Sequence, residues 1–175
     1  MKIILFLSLL IWVIPGFGKV KIQKPRSQHV TAFAIIVDEM TLEKTGGAVE
    51  AYRDALEADG LSTYIVSGNW KNPDEVKAEI IKLNKRKPVL EGVVFIGDIP
   101  VALIRNAQHM TTAFKMNEDE FPFPESSVPS DRFYDDLHLT FDFICQDSVN
   151  TSHFYYKLRE DSPQQLRPTF YSGRI

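Results

Sequence analysis

The residues best placed to do chemistry are Asp98, Asp131, Arg132, Tyr134, Asp135 and Asp136. Carboxylates at this density supply hard oxygen ligands, the chemistry that holds calcium. The calcium candidates are Asp98, Asp131, Asp135 and Asp136. The same acids can cap loops or pair with Arg132, and that structural role is the favoured reading. The four histidines, His29, His109, His138 and His153, are scattered without metal-ligand spacing. No glycine pattern for phosphate follows a strand, since Gly46-Gly47 lacks the spacing. No nucleophile elbow is present. Cys145 is the single cysteine, so the chain holds no internal disulfide. Its neighbours Phe141, Phe143 and Ile144 predict a small buried apolar residue, and no adjacent base or cationic setting favours a thiolate.

The element that must position this chemistry is Val93-Val94-Phe95-Ile96-Gly97-Asp98-Ile99-Pro100. It reads as a buried parallel strand stopped by Gly97, with an acid at its carboxyl end and Pro100 against continuation. In open α/β sheets, ligands bind at that edge. Thr31 to Val37 predicts an earlier strand and Leu61 to Val66 another. Between them Val49, Tyr52 and Leu56 fall at helical spacing from Ala48 to Asp59, and Thr45-Gly46-Gly47 reads as a loop or frayed helix start. Gly60 is the helix stop. Asn72-Pro73-Asp74-Glu75 starts a second helix, with Asn72 as cap, Pro73 in the first turn and two acids at the positive dipole end. Lys82, Lys85, Arg86 and Lys87 suit its other end, and Pro88 ends it. Residues 31–100 therefore read strand, helix, strand, helix, strand, the order that builds a parallel sheet with helices on its faces.

Beyond Pro100 the pattern is less regular. Val101 to Phe114 reads as loop with a short helix, and Phe121-Pro122-Phe123-Pro124 as stiff extended chain. Leu137 to Ile144 alternates partly like a strand, Phe154 to Leu158 is mixed, and Pro168 to Ile175 reads as a final strand. Asp147-Ser148-Val149 and Asn150-Thr151-Ser152 are short glycan-acceptor triplets of a kind that chance also produces.

Net charge is −3 over 175 residues, with 44% hydrophobic and 25% charged residues. This is a globular composition with no basic footprint, so a nucleic-acid partner is not expected. Met1-Lys2, the apolar run Ile3 to Ile14 and the break Pro15-Gly16-Phe17-Gly18 form the tripartite pattern of an export signal, residues 1–18, cut near Lys19. The run is short for a bilayer span, so no stable membrane insertion is expected after cleavage; an uncleaved anchor is the rival. Residues 19–30 read as a linker or edge segment.

Three segments, in order, carry a resemblance: Val93 to Pro100, Ser130-Asp131-Arg132-Phe133-Tyr134-Asp135-Asp136-Leu137, and Pro168-Thr169-Phe170-Tyr171-Ser172-Gly173-Arg174-Ile175. This set resembles the gingipain-type cysteine peptidases of the caspase-like clan, over roughly residues 31–175. The resemblance implies an α/β three-layer sandwich around a mostly parallel sheet, caspase-like or Rossmann-like, in a secreted, periplasmic or cell-surface bacterial protein. It implies a histidine base and cysteine nucleophile acting on polypeptide substrates. In that family both follow the Gly-Arg strand. No histidine here, nor Cys145, matches those positions, so no catalytic residue is assigned. The expectation is an N-terminal, non-catalytic subdomain, incomplete at the apolar Ile175, with no cofactor beyond the calcium candidate. The sheet-edge candidates are Asp98, Asp131, Arg132, Tyr134 and Asp135. The rival function is an exported binding module on the same scaffold.

Overall fold

The structure is a computed structural model, and it describes residues 20–112 and 115–175. The export-signal reading of residues 1–18 lies outside the described residues. The chain forms a mixed α/β fold with two sheets. The strands are β1 (Lys21–Gln23), β2 (Thr31–Asp38), β3 (Leu61–Gly68), β4 (Val89–Ile96), β5 (Val101–Arg105), β6 (Val128–Pro129), β7 (Phe141–Gln146), β8 (His153–Leu158) and β9 (Tyr171–Arg174). The helices are α1 (Glu39–Ala58), α2 (Pro73–Asn84), α3 (Phe123–Ser126) and α4 (Arg132–Asp135).

The first sheet has the order β1-β3-β2-β4-β9. β3, β2, β4 and β9 run parallel, and β1 lies antiparallel on the edge of β3. The central strand β2 is buried on both faces, and its alternate residues go opposite ways. Phe33, Ile35 and Val37 pack with Val49, Tyr52 and Leu56 of α1. Ala32, Ala34 and Ile36 pack with Val76, Ile80 and Leu83 of α2. A near-continuous apolar run is what a strand covered on both sides requires. Helices α1 and α2 each begin on a side-chain cap. Asp38 Oδ1 accepts the Thr41 N–H at 2.8 Å, and Asn72 Oδ1 accepts the Glu75 N–H at 2.9 Å.

Several expectations are corrected. Helix α1 begins at Glu39, not Ala48, and runs through Thr45-Gly46-Gly47 with a kink at Thr45 (φ −125°, ψ 16°). Two glycines cost a helix about 1 kcal/mol each against alanine. The Asp38 cap and the packing of Leu42 on the core carry the helix across them. Val101 to Arg105 is strand β5, not loop: Pro100 blocks extension of β4 but not the start of a new strand. Phe123 to Ser126 is a helical turn inside the segment expected to be extended. Residues 20–30 contain the edge strand β1, and beyond it Arg26 ties the segment to α1 through Asp54 at 2.8 Å and Glu50 at 3.2 Å.

The second sheet, order β6-β5-β8-β7, was not foreseen. β5 and β8 are parallel, while β6 and β7 pair antiparallel on either side. Ala102, Ile104, Phe154 and Tyr156 join the same apolar cluster as α2, so the second sheet shares the core of the first. Cys145 is also corrected. It lies half-exposed on the edge strand β7, where Phe143 is 57% and Ile144 38% exposed. Only part of this edge strand packs on the core, through Phe141, and Cys145 lies beyond that contact.

Gly92 shows how tightly β9 is seated. A Cβ there would lie 2.4 Å from Tyr171 Cε2 and 2.7 Å from Phe33 Cε2. These rings lie 5.9 Å apart, tilted by 45°, over the β4–β9 pairing. Gly92→Val is expected to cost about 2–3 kcal/mol by overpacking. Amide exchange at Tyr171 to Arg174 should rise well beyond that at β2. Equal exchange at the two strands would show that Gly92 does not seat β9.

Candidate functional site

The carboxyl end of β4 organises two neighbouring clusters. Gly97 adopts φ +82°, the left-handed region that glycine occupies without penalty. A Cβ on it would fall 2.1 Å from Asp38 Oδ2. That close approach lets Asp38 Oδ2 accept the Asp98 N–H at 2.8 Å, while its other oxygen caps α1. One carboxylate thus joins the ends of β2 and β4, the place where the chain order reverses in the sheet. A shallow recess of about 230 Å³ opens there, lined by Asp38, Glu39, Glu43, Asn69, Trp70 and Asp98. The Trp70 indole N–H is already committed to the Val37 carbonyl at 3.1 Å.

Burial disfavours charge on Asp38, but hydrogen bonds from Thr41 and Asp98 outweigh it and hold its carboxyl below the ordinary range. A carboxyl depressed by folding stabilises the protein above its unfolded value of about 3.9, and that contribution disappears as pH falls through the lower folded value. Asp38→Asn should therefore flatten the acid limb of a stability-against-pH curve below about pH 4. Guanidinium melts of both proteins across pH 2–6 would check this, and parallel acid limbs would refute it.

The second cluster centres on Arg174, at the end of β9. Its Nη1 donates to the Ile99 carbonyl at 2.7 Å and its Nη2 to Asp131 Oδ1 at 2.7 Å, with Pro100 O at 3.4 Å. The guanidinium stands 5.1 Å from the Phe95 ring centroid. Tyr134, fully buried, donates its hydroxyl to the same Pro100 carbonyl at 2.6 Å. Burial drives that phenol far above its ordinary range, so it remains a donor. Asp135 is fully buried. Its Oδ2 accepts from Arg132 at 2.7 Å and from the Ser172 hydroxyl, while its Oδ1 has no partner among the described residues. Burial raises its pKa, against the opposing pull of Ser172 and Arg132. Asp136, also buried, accepts backbone N–H groups of His138 and Arg167. The Asp135 carbonyl accepts the Thr169 N–H at 2.8 Å. The segment from Asp131 to Asp136 is a clamp for the chain entering β9.

Of the expected site residues, Asp131, Arg132, Tyr134 and Asp135 share one cluster, and Asp98 stands with Asp38 in the other. The carboxylates of Asp131 and Asp136 are committed to Arg174 and to backbone N–H groups, and Asp135 gives one oxygen to Arg132 and Ser172. Among the described residues, no group of three or more Asp, Glu, His or Cys is arranged to hold a metal ion. Two organisers escaped the sequence reading. Arg174 carries no local signal of its partners, whereas Asp38 follows a strand with Thr41 three residues on, the spacing of an N-cap. Both clusters brace the carboxyl edge of the sheet. No protein-family model, curated protein or solved structure matches this chain.

Proposed function

We propose that residues 31–175 are the non-catalytic N-terminal part of an exported gingipain-like cysteine endopeptidase with a caspase-like sandwich. The observation that carries this reading is the meeting of the three resembling segments. They are far apart in the chain, yet the Arg174 side chain touches Ile99 and Pro100 of the first and Asp131 of the second. Segments that matched a family by chance would have no reason to converge on one side chain. The order β3-β2-β4-β9 with parallel pairing and helices on both faces also suits such a sandwich. In this role the chain supplies the braced sheet edge. The thiol and imidazole that cleave polypeptide substrates come from elsewhere in the full protein.

Two measurements test it. The chain alone should not hydrolyse peptide libraries, and Cys145→Ala should change nothing; hydrolysis lost in that variant would overturn the proposal. Translation of the gene past Ile175 should give a strand ending in His-Gly and then one ending in Cys. A stop codon or an unrelated domain there would leave an exported binding module instead.

A further inference from the structure

The hairpin joining β7 to β8 turns through residues 147–152 at the surface, and its Ser152 carbonyl accepts the Val101 N–H at 2.8 Å. Asp147 builds the turn. Its Oδ1 accepts the N–H groups of Asn150 at 2.9 Å and Val149 at 2.8 Å, and its Oδ2 accepts the Tyr155 hydroxyl at 3.1 Å. The turn pushes Ser148, Val149, Asn150 and Thr151 outward, and Val149 is 92% exposed. Asn150-Thr151-Ser152 is an Asn-x-Ser triplet, and no other asparagine in the sequence has a hydroxyl residue two places on. The amide is engaged at both ends. Ser152 Oγ donates to Asn150 Oδ1 at 2.9 Å, and Asn150 Nδ2 lies 3.0 Å from His153 Nε2. A donor on the carbonyl oxygen and an acceptor beside the nitrogen both favour loss of an amide proton.

We infer that Asn150 is an N-glycan attachment site, modified as the chain is exported. In the reaction, Nδ2 bonds to the anomeric carbon of an oligosaccharide carried on a polyprenyl diphosphate. The carbon–oxygen bond to the diphosphate breaks, the diphosphate leaves with the electron pair, and Nδ2 releases one proton. The donor lipid and its transferase belong to the exporting cell. An exposed hairpin tip is the backbone such a transferase can reach on a folded chain, and the sugar would cover Val149. The inference rests on residues 1–18 acting as an export signal, so the experiment reads export and modification separately.

The full chain is purified from the cells that naturally make it, from cytosolic and exported fractions, and its intact mass and the tryptic peptide 133–157 are measured. The expected result is an exported chain heavier by whole hexose and N-acetylhexosamine residues on that peptide. Asn150→Gln and Ser152→Ala should each lose the increment, and Ser152→Thr should keep it. All three variants change side chains of the turn alone, and unchanged melting temperatures would confirm their folding. An exported chain of bare polypeptide mass would overturn the inference while sparing export. An unmodified chain confined to the cytosol would overturn both. Sugar that stays on Asn150→Gln and vanishes on Ser148→Ala would also overturn the assignment to Asn150.

Discussion

Gly97→Ala is expected to destabilise the protein by about 3–5 kcal/mol. A left-handed backbone costs an alanine roughly 1–2 kcal/mol. Forcing a methyl into occupied space adds about 1–3 kcal/mol. Here the occupied space is the Asp38 carboxylate, 2.1 Å from the new Cβ, with Thr41 Oγ1 at 2.4 Å. The carboxylate cannot retreat freely, because it caps α1 and receives the Asp98 N–H. Displacing it removes a helix cap and a cross-strand tie together. Chemical denaturation of the variant against the parent measures the loss. A cost below about 1 kcal/mol would mean that the turn relaxes and that Asp38 does not lock the sheet edge.

Arg174→Met should cost about 2–3 kcal/mol. It removes the guanidinium over Phe95 and leaves Asp131 and the Ile99 carbonyl without that donor, while the Pro100 carbonyl keeps the Tyr134 hydroxyl. Hydrogen bonds to charged groups contribute about 1.5–3 kcal/mol. The ion pair with Asp131 is partly exposed, with side chains at 27% and 25%, and adds less than a buried pair would. Arg174→Lys should recover little, since a single ammonium cannot reach two carbonyls and a carboxylate in the fork geometry. Arg159→Ala is the control. Its ion pairs are exposed, and the change should leave the melting temperature where it is. A lysine variant as stable as the parent would remove Arg174 from its central position.

The parts of the fold that were legible are those where several local signals agree. Helix α2 has a capping asparagine, an N-terminal proline, early acids and an apolar stripe, and its observed start at Pro73 follows from them. Strands β2, β3 and β4 are apolar runs bounded by turn residues. The second sheet was hidden because its strands are short and lack a clean period. β6 has two residues, β5 begins immediately after a proline, and β8 mixes aromatics with His153 and Lys157. Such strands exist because tertiary packing selects them, through Phe133 against Tyr156 and Phe141. Helix α1 was half-seen, since local propensity at Gly46-Gly47 argues against a helix that the Asp38 cap imposes.

For the site, the crowding of acids pointed to the correct segment, Asp131 to Asp136. It could not reveal which acid meets which cation, because Arg174 and Ser172 arrive from the far end of the domain. Asp98 looked like a member of the same group because both sit at the sheet's carboxyl edge. Its actual neighbour, Asp38, was predicted as the end of a strand and given no task.

The pairing of β4 with β9 bears on how the chain is made. Val93 and Ser172 are register partners, yet everything from Gly97 to Phe170 must be synthesised between them. At about 5–20 residues per second, a ribosome needs roughly 4–15 s for that stretch. Throughout it, the nascent polypeptide carries β4 with one flank bare, an apolar template to which a neighbouring polysome product could anneal. Translation speed through the second sheet, and the holdase supply during it, should therefore govern the yield of soluble protein more than growth temperature does.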